Sequence, residues 1–294
     1  MSYANPAIKA PHTNTTLTQH SIDVQVMQKL LALENQYGGR IGLSLMNTQN
    51  NSAIHYRASE RFPLASTFKV MAVAAMLKES ESQPQLLAKK IAYTEQEVKD
   101  SGYAPITSKH LKTGMTIEAL CAAALQFSDN AAVNLLMQQL GGPDEVTAFA
   151  RHIGDTQFNL TRWEPQLNLV YPGETQDTTT PNAMSLSLQK LVLGDILQKP
   201  QRDKLKNWLI NNTTGDTKIR AMVPSTWIIG DKTGSGRFGA TNDIAVLWPP
   251  KYNPFILSVY YVQQDIDAKN NNKIIREVTR SLLDIININE ENSK

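Results

Sequence analysis

The stretch ASTFKVMAVAAML, Ala65–Leu77, sets a lysine one turn into a run that is apolar from there to its end. Helical periodicity puts Ser66, Lys69, Val70, Val73 and Leu77 along one stripe, while Met71, Ala74, Ala75 and Met76 cover much of the remaining surface. A helix apolar nearly all round is a buried helix. A buried ammonium is expensive unless it finds partners or gives up its proton. Lys69 therefore either snorkels out to water along its stem or is kept inside for its chemistry.

The chain organises outward from this helix. Upstream, residues 1–20 are polar and rich in Thr, Asn and Pro, which predicts a flexible tail. DVQVMQKLLALENQYGG, residues 23–39, reads as an amphipathic helix closed by Gly38 and Gly39. RIGLSLMNTQNNSAIHYR, residues 40–57, reads as two alternating stretches around a polar turn, hence a hairpin. Downstream the pattern stays mostly helical to about Asn212, broken by LGGPDE at 140–145 and by a long loop from Thr161 to about Thr180, after which a helix begins near Pro181. Strand character returns in STWIIGDKTG, NDIAVLWP and FILSVYYVQ, with Pro249, Pro250 and Pro254 marking the last connection. A helix over about residues 271–286 closes the pattern. Strands at both ends around a helical middle predict an α/β fold of two lobes. One lobe is formed by 21–60 and 213–294, and the other, all-α, by 61–212 with the loop 161–180 included. Two lobes make a cleft, where small ligands usually sit.

With 294 residues, 41% of them hydrophobic, the chain can bury a large core. Lys and Arg number 29 against 27 Asp and Glu, and the net charge of +2 is spread without the basic stripe a nucleic-acid surface needs, so no nucleic-acid partner is expected. The single cysteine, Cys121 in IEALCAAALQF, allows no intrachain disulfide and reads as core filling. The five histidines show no metal-ligand spacing, so neither a metal nor another cofactor is expected. No segment is long and apolar enough to span a bilayer, and the first twenty residues lack the apolar centre of a signal peptide. Either the protein is cytoplasmic, or an export signal has been removed and Met1 stands in its place.

Three motifs carry chemistry. Ser66 and Lys69 form an S-x-x-K pair, which puts a hydroxyl and an amine on one helix face. Ser187 and Lys190 share that spacing inside a helix that looks purely structural. Only Ser66 sits at a helix start, where the macrodipole and a free backbone amide can meet a developing oxyanion. Desolvation of Lys69 would lower its proton affinity and let a neutral amine deprotonate the serine. Ser128, Asp129 and Asn130 form a polar break between two apolar runs, which also fits an ordinary helix cap. Lys232, Thr233 and Gly234 end a strand, whereas the second K-T-G, at Lys112 to Gly114, precedes a helix in what reads as a turn.

In order and spacing these motifs resemble the class A serine β-lactamases, whose signature, shared in part with penicillin-binding proteins, is S-x-x-K, S-D-N and K-T-G. The resemblance extends to YAPIT at 103–107, RWEPQLN at 162–168, DTTTPNAM at 177–184, KIRA at 218–221 and GDKTGSG at 230–236, from about Asp23 to the last helix. It implies a β-lactamase/transpeptidase-like fold, with an antiparallel sheet flanked by the terminal helices. It further implies that Ser66 attacks the lactam carbonyl while the amides of Ser66 and Ser235 receive the oxyanion. Ser128 would pass a proton to the lactam nitrogen, aided by Lys69 and Lys232, and Asn130 would hold the substrate's side-chain amide. Lys232, Thr233 and Ser235 would bind the substrate carboxylate, with Gly234 between them on the same strand. Glu164 with Asn168 would hold the deacylating water, Arg162 and Asp177 would clamp the loop, and Tyr103 would wall the entrance. A carboxylate-holding arginine of the carbapenem-hydrolysing branch is replaced by Lys218, which has the charge but not the two-pronged fork. Val73, Ala65 and Gly236 stand where some members have cysteines.

The implied function is hydrolysis of β-lactams by a periplasmic or secreted monomer. The alternatives are a penicillin-binding transpeptidase or carboxypeptidase, and a non-hydrolytic β-lactam sensor domain. Both lack the Glu164 and Asn168 pair in this form, and the sensor usually joins a transmembrane segment.

Overall fold

A computed structural model describes residues 19–286. The order begins with α1 (Gln19–Tyr37), β1 (Arg40–Asn47), β2 (Ala53–Tyr56), β3 (Phe62–Pro63) and α2 (Lys69–Ser80). It continues through β4 (Lys90–Ile91), α3 (Glu95–Asp100), β5 (Met115–Thr116), α4 (Ile117–Gln126), α5 (Asn130–Leu140) and α6 (Pro143–His152). After the long loop come β6 (Thr178–Thr179), α7 (Pro181–Val192), α8 (Lys199–Ile210), β7 (Ile228–Ser235), β8 (Thr241–Trp248), β9 (Phe255–Val262) and α9 (Asn272–Ile286).

The two termini build one five-stranded sheet in the order β2-β1-β9-β8-β7, antiparallel throughout. Its central strands are buried on both faces, which explains why β8 and β9 read as nearly continuous apolar runs. From β9, Leu257, Val259 and Tyr261 face a core shared with Val26 and Leu30 of α1 and Ile274, Val278 and Leu282 of α9. Ile256 and Tyr260 face the opposite core, shared with Phe62, Phe68 and Met184. Ser258, in the same strand, is reconciled with burial by accepting from Ser185 Oγ of α7 at 2.8 Å.

Helix α2 lies at the centre of the helical part, buried from Lys69 to Leu77, which removes the snorkelling alternative for Lys69. The LGGPDE break is a helix stop followed by a start. Gly141, at φ 104°, lets its own N–H reach Met137 O at 3.0 Å, and Pro143 then opens α6. Thr180 caps α7 by accepting from Ala183 N at 3.2 Å.

Three expectations need correction. Helix α1 starts at Gln19, so residues 19 and 20 do not belong to a tail; the rest of that tail lies outside the described residues, as do 287–294. The S-x-x-K segment does not begin as an α-helix: Ala65–Phe68 form a 3₁₀ turn entered through Ala65 at φ 41°, and α-helical bonding starts at Lys69. Two ribbons, β3 with β6 and β4 with β5, lie within the stretch expected to be all-α. Paired strands of two residues carry no alternation from which to read them. Among the described residues, no helix is long and apolar enough to cross a membrane.

Candidate active site

Ser66 sits in the 3₁₀ turn between β3 and α2. The first bond of that turn runs from Thr67 N to Leu64 O at 3.2 Å, so the Ser66 N–H precedes the ladder and has no partner within it. Asn242 of β8 fixes the approach by donating from Nδ2 to Pro63 O at 2.8 Å and Leu64 O at 3.2 Å. The strand β7 passes so near that a Cβ on Gly234 would stand 3.2 Å from Ala65 Cβ and 3.2 Å from Asn242 Nδ2. The close approach of that strand to the serine turn favours glycine in this K-T-G, since any Cβ there would press on Ala65 and Asn242.

Lys69 has no solvent exposure, and its Nζ is surrounded by oxygens: Asn130 Oδ1 at 2.6 Å, Ser128 O at 2.8 Å, Glu164 Oε1 at 3.2 Å and Ser128 Oγ at 3.4 Å. Burial pulls its pKa below the usual lysine range, and the nearby Glu164 carboxylate opposes that pull without cancelling it.

Glu164, 2% exposed, reaches Ser66 Oγ at 3.4 Å through Oε1, while Asn168 Nδ2 holds Oε2 at 2.5 Å. It is no solvated loop acid. The loop that carries it is tied at its base, where Asp177 pairs with the Arg162 guanidinium and also accepts from Thr161 N at 2.8 Å and Arg162 N at 3.0 Å. Asp177 O in turn accepts from Leu64 N at 2.8 Å, so the loop clamp is joined directly to the serine turn. At its far side the loop docks on the β7–β8 turn, with Arg237 N donating to Asn168 O at 2.9 Å.

Lys232 is fully buried, and its Nζ donates to Ser128 Oγ and to Thr233 O, each at 3.0 Å. Burial lowers its pKa well below the usual value, and the charges of Lys69 and Lys218 lower it further. Lys218 is also buried, donating to Asn242 O at 3.0 Å and Gly234 O at 3.2 Å, which leaves one of its three possible N–H donors uncommitted. Ser235 is exposed at the end of β7. Asn130 also donates to Ser101 O at 3.1 Å, and its N–H donates to Tyr103 O at 2.8 Å, while Tyr103 as a residue is 59% exposed.

The duplicated motifs separate as their contexts suggested. Ser187 donates to Asp155 Oδ2 at 2.7 Å and Lys190 to Ile153 O at 2.6 Å, both structural tasks away from the cluster. Lys112, Thr113 and Gly114 lie in the turn before β5. Cys121 is buried and free, and burial drives its thiol pKa up, away from nucleophilic use.

The sequence model of the β-lactamase enzyme family matches residues 25–286. The chain belongs to the β-lactamase enzyme family. It is 53% identical over 254 residues to a β-lactamase of Proteus vulgaris, which covers 86% of this chain and 93% of that one. It is 51% identical over 250 residues to the β-lactamase OXY-2 of Klebsiella oxytoca, covering 85% and 86%. The crystal structure of a β-lactamase from Desulfarculus baarsii superposes with a TM-score of 0.88 at 42% identity, covering 91% of this chain and 99% of that one.

Around this cluster, three further residues, Asn134, Asn242 and Thr214, escaped the sequence reading as positioning groups, while Asp129 takes the capping role read for it. Asn134 donates to Glu164 O at 2.9 Å and accepts from Glu164 N at 3.1 Å, gripping the backbone on both sides of that residue. It stands four residues beyond Asn130 on α5, so helical spacing could have exposed it. Asp129 caps α5 through Ala132 N at 2.8 Å and also accepts from Ile106 N and Thr107 N, each at 2.9 Å, which fastens the YAPIT segment to the S-D-N break. Asn242 and Thr214, the latter 2.5 Å from Thr233 Oγ1 through its own hydroxyl, carry no motif that would announce them.

Proposed function

We propose that Ser66 of this chain opens the lactam ring of β-lactam antibiotics and that Glu164 directs water to release the product. Ser66 Oγ adds to the lactam carbonyl as its proton leaves for Lys69 or Glu164. The oxyanion is received by the Ser66 and Ser235 amides, and loss of one such donor typically costs about a hundred- to a thousandfold in rate. Cleavage of the C–N bond gives an ester on Ser66, and Ser128 passes a proton to the departing nitrogen. Lys69 and Lys232 flank Ser128 and hold its hydroxyl for that step. Asn130 is assigned to the substrate's side-chain amide, and Tyr103 to the entrance wall. Lys232, Thr233 and Ser235 are assigned to the substrate carboxylate, with the remaining Lys218 N–H as a further donor.

One observation carries the hydrolytic reading. The Glu164 carboxylate is within 3.4 Å of Ser66 Oγ on one oxygen and fixed by Asn168 on the other. Asn168 Oδ1 is buried without a partner among the protein groups, and a water bridging it and Glu164 would satisfy it. That water, deprotonated by Glu164, attacks the ester and regenerates Ser66. A transpeptidase or a sensor would acylate and stop. The same reading takes 21–60 with 213–294 and 61–212 as the lobes that meet at this cluster. It takes the protein as a periplasmic or secreted monomer with no nucleic-acid or membrane partner.

Steady-state assay with a chromogenic cephalosporin tests the proposal. Many turnovers per protein molecule are expected; a single stoichiometric burst with a lasting mass increase would favour the transpeptidase or sensor.

A further inference from the structure

The hydroxyl of Thr233 belongs to a hydrogen-bonded chain whose proton directions can be worked out. Thr214 N donates to Asn212 at 3.1 Å, so the atom of the Asn212 carboxamide facing Thr214 is the oxygen, Oδ1. The other end of that carboxamide, Nδ2, donates to Asp231 Oδ2 at 2.7 Å, and Asp231 Oδ1 is paired with Arg220. Thr214 Oγ1 lies 2.8 Å from the same Asn212 Oδ1, and a carbonyl oxygen only accepts, so Thr214 spends its one hydroxyl proton there. The contact of 2.5 Å between Thr214 Oγ1 and Thr233 Oγ1 must then be bridged by the proton of Thr233. In the free protein Thr233 donates backward, away from any ligand, and offers only lone pairs to a partner on its other side.

A carboxylate accepts and cannot donate. For Thr233 to bind one, its proton must turn outward. Thr214 must then reverse as well, donating to Thr233 and letting go of Asn212, because two facing oxygens 2.5 Å apart need a proton between them. We propose that Thr214 is a specificity-determining, positioning residue that holds Thr233 in the wrong donor direction until a substrate carboxylate reverses both hydroxyls. Resting on the assignment of Thr233 to the carboxylate, this makes carboxylate binding weaker by one broken hydrogen bond.

Removing the acceptor should release Thr233. For Thr214→Ala, the KM of a chromogenic cephalosporin is expected to fall about three- to tenfold, the equivalent of one neutral hydrogen bond, with the change in KM and not in kcat. The methyl ester of the same cephalosporin should show no such fall. Thr214→Ser, which keeps the hydroxyl, should stay within about twofold of the unaltered protein, and thermal melting of each variant confirms that it is folded. A higher or unchanged KM in Thr214→Ala, or an equal fall for acid and ester, overturns the proposal. If the unaltered protein itself handles acid and ester alike, the carboxylate assignment of Thr233 fails and the proposal falls with it, while Ser66 and Glu164 keep their roles.

Discussion

Lys69 Nζ lies 3.2 Å from Glu164 Oε1, the same oxygen that Ser66 Oγ reaches at 3.4 Å, and both the lysine and the glutamate side chains are closed to solvent. One carboxylate oxygen thus serves a hydroxyl and an amine at once. This answers why a lysine stands in an apolar helix. The interior weakens its hold on a proton, and four oxygen acceptors from α5, the loop and the S-D-N break make its burial tolerable.

Lowered proton affinity at Lys69 has a kinetic signature. In Glu164→Gln, where the glutamate cannot act as base, single-turnover acylation should rise with pH and level off well before about 10.4, the pKa of an ordinary lysine. Removing the Glu164 charge takes away an influence that raises the Lys69 pKa, so the plateau should come earlier still. Stopped-flow acylation across the pH range checks this; a rate still climbing towards pH 10 would mean Lys69 keeps an ordinary ammonium.

Lys232 holds its place against stability. Burial and two neighbouring lysines lower its folded pKa well below its unfolded one. Between the two values the unfolded chain binds more protons, so the cost is full below the folded pKa, shrinks as pH rises, and vanishes above the unfolded value near about 10.4. Lys232→Met should therefore raise stability at neutral pH by about 1 kcal/mol or more, with the gain narrowing as pH approaches that of free lysine. Urea unfolding at several pH values measures it, and the same variant should lose most of its activity.

Arg162→Ala would leave the Asp177 carboxylate, which has no solvent exposure, without its cation. Breaking a buried pair from one side costs about 3–5 kcal/mol. Because Asp177 O also accepts from Leu64 N, the damage should reach the serine turn as well as the loop. A fall in unfolding free energy of that size, with turnover reduced more than acylation, is the expected outcome.

Much of this was legible in the sequence because the chemistry and the fold use the same residues. The K-T-G of β7 and the S-x-x-K at the entry to α2 sit in segments whose apolar patterns also fix their burial, and their duplicates were separable by context alone. Strands β8 and β9 emerged within a few residues of their ends because a run buried on both faces and bounded by proline has few alternatives, and helix α9 emerged from its one apolar face. The positioning layer was not legible. Asn134, Asn242 and Thr214 act through hydrogen bonds to residues 30, 179 and 19 positions away; beyond the i, i+4 spacing of Asn134 from Asn130, no local pattern records such pairings. The 3₁₀ entry at Ala65 was missed for a related reason: its positive φ runs against the preference of alanine itself, so no local signal announces it.

The most direct test is intact-protein mass spectrometry of Glu164→Gln mixed with a cephalosporin, followed by peptide mapping. A long-lived adduct on Ser66 is expected, formed readily and released about a hundredfold or more slowly than in the unaltered protein. Release of product by Glu164→Gln at the unaltered rate, or an adduct on a residue other than Ser66, would contradict the shared role of that carboxylate.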